Sequence, residues 1–124
     1  ICDRQDWRLA AEKTLRLFAQ RLHQMPHAVP HLLLALDFAL QEPRRVVLVG
    51  DFTCGSTRSL VHAAHGVFQP HKVVLGNAGP VEAFAKTLPV HEEFTQAFCC
   101  SGTACQPPTR DREAVQRFLQ MNPP

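Results

Sequence analysis

What this sequence lacks narrows it first. Its longest apolar stretch, Leu32–Leu36, gives way at once to Asp37. A membrane-spanning helix needs roughly 20 such residues, so no membrane is expected as a partner. Nor is there a block of one charge. Thirteen Lys and Arg stand against eleven Asp and Glu, a formal charge of +2, which leaves no electrostatic footprint for nucleic acid. The opening ICDRQDW places charges where a secretory leader would carry an apolar run, so no leader is expected in it. Five cysteines without regular spacing suit a reducing compartment, taken here as the cytoplasm, better than a secreted disulfide scaffold. No HExxH frame, C-x-x-C pair, paired-carboxylate motif or Ser/His/Asp order stands out. Catalytic residues: none expected; metal: none; cofactors: none.

The chain has 124 residues and is 45% hydrophobic, enough for a modest core. It begins at Ile1 and its first methionine is Met25, and a helical pattern starts almost at once. A piece of a longer protein is the expectation. Trp7, Ala11, Leu15, Phe18, Leu22 and Met25 recur at steps of three and four, which predicts a helix with one buried stripe. MPHAVP ends it, because proline breaks the backbone ladder and restricts the residue before it. HLLLALDFAL is apolar almost all round and asks for neighbours on several sides.

After the break QEPRR, the run RVVLV reads as a strand buried on both faces. Ser56 or Thr57 is expected to cap a helix reaching about Val67, with Leu60, Ala64 and Val67 inward and Arg58, His62, His65 and Gln69 outward. KVVLG reads as a second buried strand, Pro80 as the opening of a short helix through Lys86, and FTQAFCC as a third strand closed by a turn at SG. A last helix follows PPT, with Ala114, Val115, Phe118 and Leu119 apolar and Glu113 spaced to pair with Arg117. The order predicts an α/β fold: a small, three-stranded, mainly parallel sheet flanked by helices and preceded by two more.

Three groups of residues are candidates for chemistry. Gly50, Gly55, Ser56 and Thr57 lie where a strand passes into a helix, nearly in the outline of a P-loop, GxxxxGK[ST]. Such a loop can hold an anion. Here Ser56 replaces the phosphate-clamping lysine and Asp51 adds a negative charge, so the glycines read better as turn residues. Cys100 and Cys105 are spaced C-x4-C around the SG turn, which leaves open a disulfide, half of a metal site or two small packed residues. His27 with His31, and His62 with His65, read as exposed or boundary histidines.

The tail QAFCCSGTACQPPTRDREAVQRFL, with the opening helices and RRVVLVGD, resembles the C-terminal end of the YyaL-like, spermatogenesis-associated-protein-20-like family of thioredoxin-domain-containing proteins. In that family an AYVC…CQAP stretch precedes the terminal helix. Here it is matched by Ala97, Phe98, Cys99 and Cys100, then Cys105, Gln106, Pro107 and Pro108. Phe98 stands for the usual tyrosine, Cys99 for an apolar residue, and His71 in FQPHKVVLG for the common asparagine. Cys100 and Cys105 match the family's two cysteines.

The resemblance implies a thioredoxin-like domain and an α/α toroid of the six-hairpin glycosidase type elsewhere in the parent polypeptide. Residues 1–42 would then be the toroid's terminal helices and residues 43–124 a small C-terminal α/β domain. The function it implies is an accessory, non-catalytic domain whose partner is the rest of that polypeptide, with self-association when taken alone. Two alternatives stand beside it: a redox or metal-linked role for Cys100 and Cys105, and a degenerate nucleotide-binding loop at Gly50–Thr57.

Overall fold

The computed structural model describes residues 1–2 and 4–121. Six helices and four strands follow one another as α1 (Gln5–Leu17), α2 (Ala19–Gln24), α3 (Pro30–Leu40), β1 (Arg44–Val49), α4 (Gly55–His65), β2 (Lys72–Gly76), α5 (Ala83–Lys86), β3 (Gln96–Ser101), β4 (Ala104–Cys105) and α6 (Arg112–Gln120). A single 3-10 turn, Pro26–Ala28, joins α2 to α3. No helix among the described residues is long and apolar enough to cross a membrane.

The strands form one sheet in the order β2-β1-β3-β4. β1 and β2 are parallel, with Val46 opposite Val74, joined through α4 as a crossover requires. β3 runs antiparallel to β1, with Val47 opposite Phe98, and β4 antiparallel to β3. The expected three-stranded, mainly parallel sheet is therefore a four-stranded mixed one. Only α5, with 4 residues, separates β2 from β3. An antiparallel return suits that link, because it needs no helix packed back across the sheet.

The pleat of β1 divides the core in two. Val46 and Leu48 pack with Leu60, Ala64, Val115, Phe118 and Leu119 beneath α4 and α6. Val47 and Val49 pack with Phe98, Cys100 and Ala85 on the α5 side. β1 and β3 lie in the middle and are buried along nearly their whole length, whereas every residue of β2 is half-buried. That corrects the expectation of a second fully buried strand: β2 is an edge.

α6 is capped by Asp111, whose carboxylate accepts from Glu113 N (2.9 Å) and Ala114 N (3.2 Å). Glu113 and Arg117 pair at 3.7 Å as their spacing predicts. α4 differs from expectation at its start. Cys54, not Ser56 or Thr57, is its N-cap, and no side chain caps it.

The N-terminal helices differ most from the core. Their pattern breaks at Phe18, so the single expected helix is two. Leu22 is the one buried residue in α1 and α2, and α3 has none. Trp7, Phe18 and Met25, expected in a buried stripe, are 57%, 38% and 45% exposed. Leu33, Leu34 and Leu40 of α3 add 37%, 64% and 74%. The periodicity is real, but this chain does not cover the face it defines. From α3, the Asp37 carboxylate lies 2.6 Å from His71 Nε2 just before β2, and the Phe38 ring faces the same imidazole at 6.3 Å.

Candidate functional site

Three places hold chemistry-bearing side chains, and two of them meet at the β3–β4 hairpin. Gly102 turns the chain there with φ 56°, a left-handed conformation that side chains disfavour. A Cβ at that position would also lie 2.8 Å from the Glu42 carboxylate. The turn sets Cys100 directly opposite Cys105. Gln106 N–H donates to Cys99 O at 2.9 Å, so the cysteine pair falls between the ladder's hydrogen-bonded positions, where facing side chains approach most closely. Their Cα atoms are 4.0 Å apart and the sulfurs are joined in a disulfide. The spacing had left a disulfide, a metal half-site and simple packing open. With both sulfurs in one covalent bond, neither is a thiolate ligand. Among the described residues no group of three or more His, Cys, Asp or Glu is arranged to hold a metal ion.

The two half-cystines differ in access. Cys100 is fully buried against the α5 side and Cys105 is exposed. Cys99, the neighbour of Cys100, points to the opposite face, into the α4–α6 core, as a free thiol. Burial pushes the Cys99 thiol up to about 11, which makes it a poor nucleophile at neutral pH. Arg45 braces the hairpin from β1. It donates to the Gly102 carbonyl and pairs with Glu82 at 2.9 Å.

The second place is a cleft of about 540 Å3 bounded by the end of α3, the hairpin and the end of α6. Cys105 and Gln106 form one wall, Phe118 and Met121 another, and Arg44 lies on its floor. Adjacent Arg44 and Arg45 leave β1 on opposite faces, so one braces the disulfide turn while the other enters the cleft. Sequence reasoning passed over both, reading QEPRR only as a break. Two arginines at the mouth of a buried strand are a usable signal, since alternation must send one of them inward.

The third place is the loop after β1. Gly50 has φ 137°, and a Cβ there would lie 2.7 Å from Thr95 Cα, so glycine is required by both conformation and space. Thr57 is buried, and its hydroxyl donates to the Asp51 carbonyl at 2.5 Å. The Thr95 hydroxyl is 2.5 Å from that of Thr57. The Asp51 carboxylate accepts from the Thr53 hydroxyl (2.7 Å) and Thr53 N (2.8 Å), which holds it below the usual carboxylate range. Gly55 and Ser56 are exposed at the head of α4. The Ser56 hydroxyl lies 3.1 Å from Cys54 Sγ, and this contact lowers the Cys54 thiol below its ordinary value. His27, His31, His62 and His65 are all exposed, in line with the sequence reading.

A small mixed α/β sheet, a disulfide-closed hairpin and N-terminal helices with exposed apolar side chains thus define the class of module. Its relatives carry a single description. Spermatogenesis-associated protein 20 of Homo sapiens is 28% identical over 122 residues, covering 93% of this chain and 16% of that protein. The proteins of the same name from Rattus norvegicus and Mus musculus are 25% and 24% identical over the same span. These homologues carry the family name that the QAFCC…CQPP stretch resembles. The chain spans 16% or less of the length of these curated relatives. No family model matches the chain, and no solved structure matches it.

Proposed function

We propose that this chain serves as an accessory module of a larger polypeptide, without catalysis of its own, and that the apolar face of α1–α3 packs against further helices of that polypeptide. The observation that carries this reading is α3, an eleven-residue helix of sequence PHLLLALDFAL without one buried residue. Burying an exposed leucine is worth about 1.5–3 kcal/mol, so Leu33, Leu34 and Leu40 together represent a substantial stabilisation left unused in the chain alone. Relatives more than six times as long, matched along 93% of this chain, supply a source for such cover. Residues 1–42 would then complete a helical domain, of the toroid type the resemblance implies, and residues 43–124 would close it.

The test is hydrodynamic. Light scattering after size exclusion should find the chain self-associated, or binding a hydrophobic dye as a monomer, and Leu33→Glu with Leu34→Glu should abolish either behaviour. A monomer that binds no dye and protects the α3 amides from exchange overturns the proposal.

A second reading is favoured by the disulfide itself. Cys105 is exposed while Cys100 is buried, so an incoming thiolate would attack Cys105 Sγ and expel Cys100 as thiolate. A second thiol of the same partner would then displace Cys105. The partner dithiol leaves as a disulfide and this chain as two thiols. Equilibration with a dithiol buffer of known potential tests it. A pair that stays oxidised at every potential reached by cellular dithiols ends the reading.

A further inference from the structure

Buried charges in proteins are paired, because removing an ion from water costs several kcal/mol. Arg44 departs from that rule. The residue is 9% exposed, and no carboxylate lies within ion-pair distance of it among the described residues. Its guanidinium donates to the Phe118 carbonyl and stacks 5.5 Å from the centre of the Phe118 ring. Neither contact neutralises the charge. Its remaining donors are not sealed in protein. The buried side-chain polar atoms without a partner among the described residues are Arg45 Nε and Glu82 Oε1, and none belongs to Arg44. The free donors of Arg44 therefore open into the cleft whose floor it forms.

We infer that this cleft binds an amphipathic monocarboxylate, with the carboxylate on Arg44 and the apolar body along Phe118 and Met121. A planar guanidinium offers paired donors that match a carboxylate. The cleft, at about 540 Å3, falls within the range of small-molecule sites. The charge of the head group follows from what else faces it. Arg44 contributes one positive charge, and the Glu42 carboxylate stands on the same cleft's rim. His71 is also on the rim, but its ring is engaged by Asp37 at 2.6 Å. A single positive charge with an acid nearby disfavours a dianionic phosphate and suits a singly charged head.

The inference does not rest on the apolar face of α1–α3, but the cleft shares its Cys105 wall with the disulfide, so the titration keeps that bond oxidised. The site is tested on the whole chain by amide NMR titration with millimolar hexanoate, with hexanamide and inorganic phosphate as controls. The expected result is saturable shifts at Phe118, Cys99 and Gln106 with hexanoate, and none with hexanamide or phosphate. Arg44→Gln should abolish them. Because Arg44 also bonds the α6 backbone, Gln106→Glu provides a second variant. It places an acid at the exposed wall and leaves Arg44 intact, and it should raise the hexanoate dissociation constant about tenfold or more by like-charge repulsion. Absence of saturable shifts in the unaltered chain overturns the inference. So does an equal response to hexanamide or phosphate, or unchanged hexanoate binding in either variant that folds.

Discussion

The Thr57 and Thr95 hydroxyls lie 2.5 Å apart and both reach the carbonyl of Asp51, at 2.5 and 3.1 Å. This small buried network ties the head of α4 to the head of β3 across the loop that follows β1. Thr57→Val keeps the shape and removes one hydroxyl, so the Asp51 carbonyl loses its shorter donor and the Thr95 hydroxyl keeps only its 3.1 Å contact to that carbonyl. The expected cost is about 1–3 kcal/mol, read from the urea midpoint. A loss within experimental error would mean that water replaces the hydroxyl.

Removing the hairpin disulfide should cost less than removing one that closes a long loop. For a loop as short as Cys100–Cys105 the chain-entropy model gives about 2 kcal/mol. Cys105→Ser should lower stability by that order. Amide exchange should rise first at Ser101–Gln106 and not in α4 or α6.

The thiols should react in a fixed order. Cys54 is exposed and its thiol is lowered by the Ser56 hydroxyl; Cys99 is buried and raised to about 11. Iodoacetamide at neutral pH, followed by mass spectrometry, should label Cys54 well before Cys99. Between the ordinary thiol value of 9.0 and about 11, the unfolded chain loses the Cys99 proton that the folded chain keeps. Rising pH in that window therefore favours unfolding. Cys99→Ala should show a shallower alkaline decline.

Asp111→Ala removes both acceptors at the start of α6. It should cost about 1 kcal/mol, seen as a lower melting temperature. Asp111→Asn, which keeps an acceptor, should recover most of it.

Much of the fold was legible because two periods are hard to mistake. RVVLV is too short and too continuous for an exposed helix, and Val115, Phe118 and Leu119 can share only a helical face. The direction of β3 was not legible. FTQAFCC carries no mark of its polarity, and the link from β2 holds too little helix to enforce a parallel return. The amphipathic pattern of α1 reported which side chains share a face, but not what covers that face. Of the site residues, Cys100 and Cys105 were legible as a candidate pair, but their spacing about a turn left a disulfide, a metal half-site and simple packing open until the register set them face to face. Arg44 could not be singled out, since its isolation depends on where every acid in the chain ends up. Thr95 gave no signal, and Thr57 was singled out only as a helix cap or anion-loop residue, not as half of a buried hydroxyl pair.

Cys99 and Cys100 are neighbours in sequence, yet the pleat of β3 places them on opposite sides of the sheet. During oxidative folding Cys105 meets two candidate thiols one residue apart. To join the wrong one, β3 would have to slip by a single position, which turns Phe98 and its neighbours out of one core and into the other. Strand alternation thus discriminates between two adjacent thiols, because the core packing that fixes the register of β3 also selects which sulfur Cys105 can reach.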